Sequence, residues 1–208
     1  METIQVLVID DEQIVLDSVR KILTAENCLV STTLRGKKGI KMAIGSNFDV
    51  VLTDIRMPDI GGLIVLRDIK RRKPSLPVII ITGYATIRSA VQATKLGATD
   101  YIEKPFSPEQ LVESVSLAIE LSKTQTHEEQ IIRNKNEMIQ ALERAASDYA
   151  FRQELIDNGS DALDPYGLTA PEKLAIITGD VVWIEEQIGP LSKQQKRWLE
   201  KRLGAEIW

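Results

Sequence analysis

Asp10 and Asp11 close an apolar run at 4–9, Asp54 closes a second at 49–53, and Lys104 follows a third short run and precedes Pro105. If these runs are parallel strands of one sheet, all four charged groups meet at its carboxyl edge. Three gathered carboxylates repel one another, so the grouping calls for a cation, and the lysine beside it is placed for an anion. Magnesium prefers oxygen ligands and keeps several waters. Two carboxylates, a main-chain carbonyl and waters satisfy it and leave room for a phosphoryl oxygen. Phosphoryl transfer needs charge neutralisation around the moving group more than covalent help. Mg²⁺, Lys104 and a hydroxyl such as that of Thr82 supply it, and the Asp54 carboxylate is a suitable acceptor, forming an acyl phosphate.

Each residue alone has an ordinary role. A strand-end Asp caps a helix or forms a turn, Lys before Pro is a surface lysine, and Thr82-Gly83 is a turn. The functional reading rests on five polar positions, Asp10, Asp11, Asp54, Thr82 and Lys104, falling in order at strand ends.

Up to residue 121, strand-like and helix-like segments alternate. Apolar runs at 4–9, 50–53 and 78–81, and weaker ones at 28–33 and 100–102, are short, rich in Val and Ile, and not alternating. That is the pattern of strands covered on both faces. Amphipathic stretches lie between them at 13–26, 36–45, 61–72, 86–96 and 108–121, the last opened by a capping box at Ser107 to Gln110. Five such βα units predict an α/β fold, a five-stranded doubly wound parallel sheet with ligands beyond the carboxyl ends of its strands.

These motifs resemble a known family. Val6-Leu-Val-Ile-Asp-Asp-Glu12, Leu52-Thr-Asp-Ile-Arg-Met-Pro-Asp-Ile-Gly-Gly62, Ile80-Ile-Thr-Gly-Tyr-Ala85 and Gly97-Ala-Thr-Asp-Tyr-Ile-Glu-Lys-Pro-Phe106 look like the flavodoxin-like receiver domain of two-component response regulators. They are most similar to receivers of nitrogen-regulation-type activators. The resemblance implies that Asp54 is the phosphoacceptor, served by a sensor histidine kinase. It implies that Mg²⁺ is held by Asp11, Asp54 and the main-chain carbonyl of Arg56, with Asp10 acting mainly through water. Lys104 would pair with the phosphoryl group across a cis bond to Pro105, and Thr82 and Tyr101 would form the switch. The surface of helix 4, strand 5 and helix 5, including Arg88, Lys95 and Asp100, would then control homodimerisation or release of the tail. Arg56 and Tyr84 flank the acceptor, where ordinary exposed packing is the simpler role. The expected protein is no enzyme in the usual sense, but a phosphoacceptor that assists its own phosphorylation and dephosphorylation.

The tail is different. Residues 1–122 carry 15 basic and 15 acidic side chains, and the remainder carries 11 and 15, so the whole net charge of -4 lies there. A DNA-binding output domain is normally basic. No Gly-rich phosphate loop is present for an ATPase. Three parts are expected: a receiver at 1–121, a polar linker at 122–130, and a small all-α module at 131–208. In the module, helical spacing of apolar residues runs unbroken from Ile131 to Ile156, compatible with a dimeric seam or with packing inside the module. Further helices follow from Thr169, over 180–188 and from Ser192. The stretches around Tyr149 to Leu155, Gly167 to Glu172 and Gly179-Asp180 are similar to the small helical subunit of ring-opening dioxygenases and to some peptide-maturation leader domains. That implies a compact binder of a protein target yet to be identified. A divergent helix-turn-helix at 181–203 is the alternative, with Lys193, Lys196, Arg197, Lys201 and Arg202 on its last helix. Against it stand Glu185 at a usually small position, Gln195 at a usually apolar one, and Pro190 in the turn. Trp183 and Trp198 read as core residues and Trp208 as an interface anchor; His127 reads as a solvated linker residue. No apolar run approaches the ~20 residues of a membrane span. No signal peptide is recognisable, and the single Cys28 reads as a buried hydrophobe in a reducing compartment. A cytoplasmic location is therefore expected.

Overall fold

The computed structural model describes residues 3–83, 87–124 and 135–202. Tyr84, His127, Trp208 and most of the expected linker lie outside the described residues, as does the side chain of Arg88. The chain divides into two compact units, Met1–Glu129 and Gln130–Trp208.

In the first unit, strands β1 (Gln5–Ile9), β2 (Leu29–Thr33), β3 (Val50–Thr53), β4 (Val78–Thr82) and β5 (Asp100–Glu103) alternate with helices α1 (Gln13–Ala25), α2 (Gly36–Gly45), α3 (Gly62–Arg72), α4 (Ile87–Lys95) and α5 (Pro108–Thr124). The sheet is parallel throughout, in the order β2-β1-β3-β4-β5. Every residue of β3 and β4 is buried, which is why these strands read as continuous apolar runs. On one face, Val6, Val8, Leu52 and Ile81 join Leu16 and Val19 of α1 and Leu111 and Val115 of α5 in a core. Cys28 lies in the same cluster, as its sequence context implied. On the other face α2 approaches so closely that a Cβ on Gly39 would stand 2.3 Å from the Ile9 side chain.

The second unit is all-helical among the described residues: α6 (Lys135–Ser147), α7 (Tyr149–Asn158), a 3₁₀ segment (Gly159–Tyr166), α8 (Ala170–Ile177), α9 (Val181–Ile188) and α10 (Lys193–Arg202). The single helix expected from 131 to 156 is two helices among the described residues, which begin at 135 in this unit. Asp148 breaks it: its carboxylate accepts the backbone N–H of Ala150 (2.8 Å) and Phe151 (3.2 Å), an N-cap that starts α7. Apolar spacing survives the break because both helices face one core. Met138, Leu142, Phe151, Leu155 and Leu199 are buried there, with Trp183 and Trp198 at its edge. The α6 stripe is thus covered within its own unit rather than by a dimeric seam. The expected capping boxes are present at Thr169 with Glu172 and at Ser192 with Gln195.

Candidate functional site

Backbone pairing carries the site residues to one edge. Asp54 N–H donates to the Ile9 carbonyl (2.9 Å), extending the β1–β3 ladder by one residue. Lys104 N–H donates to the Thr82 carbonyl (2.8 Å), doing the same for β4 and β5. Asp10, just past the end of β1, accepts the N–H of Glu12 (2.9 Å) at the start of α1. The Lys104–Pro105 bond is cis.

The Lys104 ammonium lies between carboxylates. It is 2.6 Å from Asp10 Oδ2, 3.3 Å from Asp54 Oδ1 and 3.2 Å from Glu12 Oε1. The other oxygen of Asp54, Oδ2, accepts the Arg56 N–H at 2.6 Å. Asp10 and Asp54 are buried, whereas Asp11 is exposed on the rim. Thr82 is fully buried at the end of β4. Tyr101 is half-buried on β5, paired with Ile80. Register places Thr82 and Tyr101 on the same face of neighbouring strands.

The electrostatics show which charge is in excess. Burial raises the pKa of Asp10 despite its hydrogen bond to Lys104. Burial likewise raises Asp54, and the charge of Asp10 adds to it, against the attraction of Lys104 and the Arg56 N–H. Burial opposes the Lys104 ammonium, but the Asp10 hydrogen bond and the charges of Asp54 and Asp10 outweigh it and its pKa rises. One ammonium stands against the carboxylates of Asp10, Asp54 and Glu12, so the pocket is not neutralised, and a further cation fits it. Among the described residues no three acidic, His or Cys side chains converge into a closed metal cage. Two buried carboxylates with an exposed third at the rim suit a magnesium ion that keeps most of its waters.

Three contributors escaped the sequence reading. Glu12 looked like part of a motif but reaches Lys104. Asp59 docks on the start of α2, accepting the N–H groups of Gly36 and Lys37 at 3.0 Å each. Burial raises its pKa, but these and other backbone N–H groups outweigh that and hold it low. Gly62 starts α3 so close to the acceptor that a Cβ would lie 2.1 Å from the Asp54 carbonyl oxygen. The Gly61-Gly62 pair was the available signal, since close backbone approach selects glycine.

The response regulator receiver domain family matches residues 6–116. The response regulator SaeR of Staphylococcus aureus is 36% identical over 106 residues, which are 51% of this chain and 46% of SaeR. The chain thus spans about half the length of the curated relatives it matches. The beryllofluoride-activated NtrC4 receiver domain dimer is 35% identical with a TM-score of 0.55, over 57% of this chain and 98% of that one. The response regulator TrrA of Thermotoga maritima, solved with Mg²⁺ and beryllofluoride, is 31% identical with a TM-score of 0.51, over 55% and 97%.

Proposed function

Because this chain belongs to the response regulator receiver domain family, we propose that a sensor histidine kinase phosphorylates it on Asp54 and that its helical tail carries the output through protein contacts. The observation that carries this reading is the Lys104 ammonium shared between the buried carboxylates of Asp10 and Asp54. It leaves an acceptor oxygen beside a fixed cation at the open edge of the sheet.

In the transfer, an Asp54 oxygen attacks the phosphorus of a phosphohistidine. The P–N bond breaks as the P–O bond forms, and the departing imidazole nitrogen takes a proton from solvent. Hydrolysis later breaks that P–O bond with water as the nucleophile and releases inorganic phosphate. Lys104 neutralises charge on the moving group, and the Arg56 N–H holds Asp54 in line. Asp11, Asp54 and the Arg56 carbonyl would hold Mg²⁺, with Asp10 acting through water, and the ion would supply further charge neutralisation. Thr82, at the end of β4, turns its hydroxyl to the new phosphoryl oxygens, and Tyr101 moves into the space on its face of the sheet. The surface of α4, β5 and α5 then repacks. Asp100 is part of it, tied to α5 by the hydroxyl of Ser114. This change governs homodimerisation or release of the tail.

A second reading, a DNA-binding regulator, rests on α10. Lys193, Arg197 and Lys201 are exposed on it, four residues apart on one face. Glu185 weighs against it. Its carboxylate accepts the Leu191 N–H (2.8 Å) and pairs with Lys196 (2.8 Å), so it fastens the turn and engages one of the bases. Among the described residues no helix is long and apolar enough to cross a membrane, and we place the protein in the cytoplasm.

The test is incubation with acetyl phosphate and Mg²⁺ followed by intact mass. One added phosphate on the wild type and none on Asp54→Asn is expected; equal labelling of both refutes the assignment. Affinity capture with phosphorylated protein against Asp54→Asn then separates the outputs. Retention on DNA that weakens with salt, with no protein captured in either state, favours the second reading.

A further inference from the structure

The three carboxylates around Lys104 are not equivalent. An ammonium has three donors, and Asp10, Asp54 and Glu12 together engage all of them. The Asp10 contact is short, at 2.6 Å, and its side chain is 2% exposed, so it is held tightly. Asp54 is the acceptor itself. Glu12 is 59% exposed and 3.2 Å away. Its bond is the weakest of the three, because water competes for both partners. Glu12 is also fixed in place: its own N–H donates to Asp10 Oδ1, and its backbone carbonyl accepts the N–H of Val15 and Leu16 at the N-cap position of α1. Its side chain therefore projects over the pocket mouth from a rigid base.

We propose that Glu12 is a positioning residue that holds the third donor of Lys104 in the resting state and yields it to the phosphoryl group on Asp54. This rests on the phosphoacceptor reading above. Glu12 thereby acts as a brake. In the resting protein it keeps one Lys104 donor engaged. Phosphorylation exchanges the Glu12–Lys104 bond for a phosphoryl–Lys104 bond, and Glu12 is freed to solvent. The exchange is favourable because a doubly charged phosphoryl group is a stronger acceptor than an exposed carboxylate.

The experiment measures the rate of Asp54 phosphorylation by acetyl phosphate at saturating Mg²⁺. In that reaction the P–O bond of acetyl phosphate breaks as the bond to Asp54 forms, and acetate leaves. Glu12→Gln, Glu12→Asp and wild type are compared, each with and without Lys104→Met. Glu12→Gln is expected to react roughly 2- to 5-fold faster, the size of a half-exposed ion pair. Glu12→Asp keeps the charge but shortens the reach, and is expected to share most of that gain. Neither substitution changes the rate once Lys104 is Met. Raising ionic strength speeds the wild type and leaves Glu12→Gln nearly unchanged. A readout independent of phosphorylation is the ¹⁵N-resolved ammonium signal of Lys104 in metal-free protein, expected to shift in Glu12→Asp. A Glu12→Asp protein with wild-type rate and an unmoved signal overturns the proposal, since charge at the mouth then accounts for any effect. So does a gain from Glu12→Gln that persists in Lys104→Met. Absence of label on wild-type protein removes the phosphoacceptor reading itself, and this inference with it.

Discussion

Glu172 and Asp180 of the helical tail are 1% and 6% exposed, as deeply buried as Asp10 and Asp54 of the receiver at 1% and 5%. Yet Glu172 accepts the N–H and hydroxyl of Thr169, three residues away, and Asp180 accepts the N–H of Trp183. Each closes a helix start of its own segment. Asp10 and Asp54 follow the ends of different strands, 44 residues apart in sequence, and share one lysine. Buried charge bonded within its own segment is architecture, whereas buried charge that converges from distant segments on one shared cation is a site. The same depth of burial therefore serves a helix start in the tail and a shared charged site in the receiver.

That contrast can be attacked at several points. Gly62→Ala should have the largest effect. Its Cβ would meet the Asp54 carbonyl oxygen at 2.1 Å, and a backbone clash of that kind should cost about 4 kcal/mol. Urea unfolding of the receiver, followed together with loss of labelling, measures it. Phe151→Ala should cost the tail about 3 kcal/mol through the cavity it leaves. Receiver labelling should be untouched, and a fall in labelling would break the separation of the two units.

Asp54→Asn should go the other way and raise the urea midpoint of the receiver, because it removes a carboxylate that burial disfavours in its charged form. The folded-state pKa of Asp54 lies above its ordinary 3.8. The folded state therefore gains protons first as pH falls, and the wild type recovers stability relative to Asp54→Asn from neutrality down towards that value. A gap that widens in acid contradicts this sign. Mg²⁺ at tenfold its Kd should stabilise the wild type by about 1.4 kcal/mol and Asp54→Asn by less, and chelation should reverse it. Thr169→Ala should have the smallest effect, about 1 kcal/mol from the lost cap of α8, confined to the tail transition.

Much of this was legible beforehand because its causes are local. Val- and Ile-rich runs covered on both faces named the strands, and capping boxes at Ser107, Thr169 and Ser192 marked three helix starts. The break at Asp148 was missed because apolar spacing continues across it, and spacing reports which face is buried, not whether the backbone is continuous. Glu12 and Asp59 were missed for a different reason. Their partners, Lys104 and the start of α2, lie 92 and 22–23 residues away in sequence, and no local pattern announces such a pairing.

The sequence by itself determined the order of the βα units, the polar residue at each strand end, and so the family. Only the tertiary structure decided that Lys104 divides its donors among Asp10, Asp54 and Glu12 while Asp11 stays on the rim. The reason is physical. Hydrophobic periodicity and capping act over a few residues, whereas which carboxylate meets an ammonium depends on strand order, register and loop path acting together.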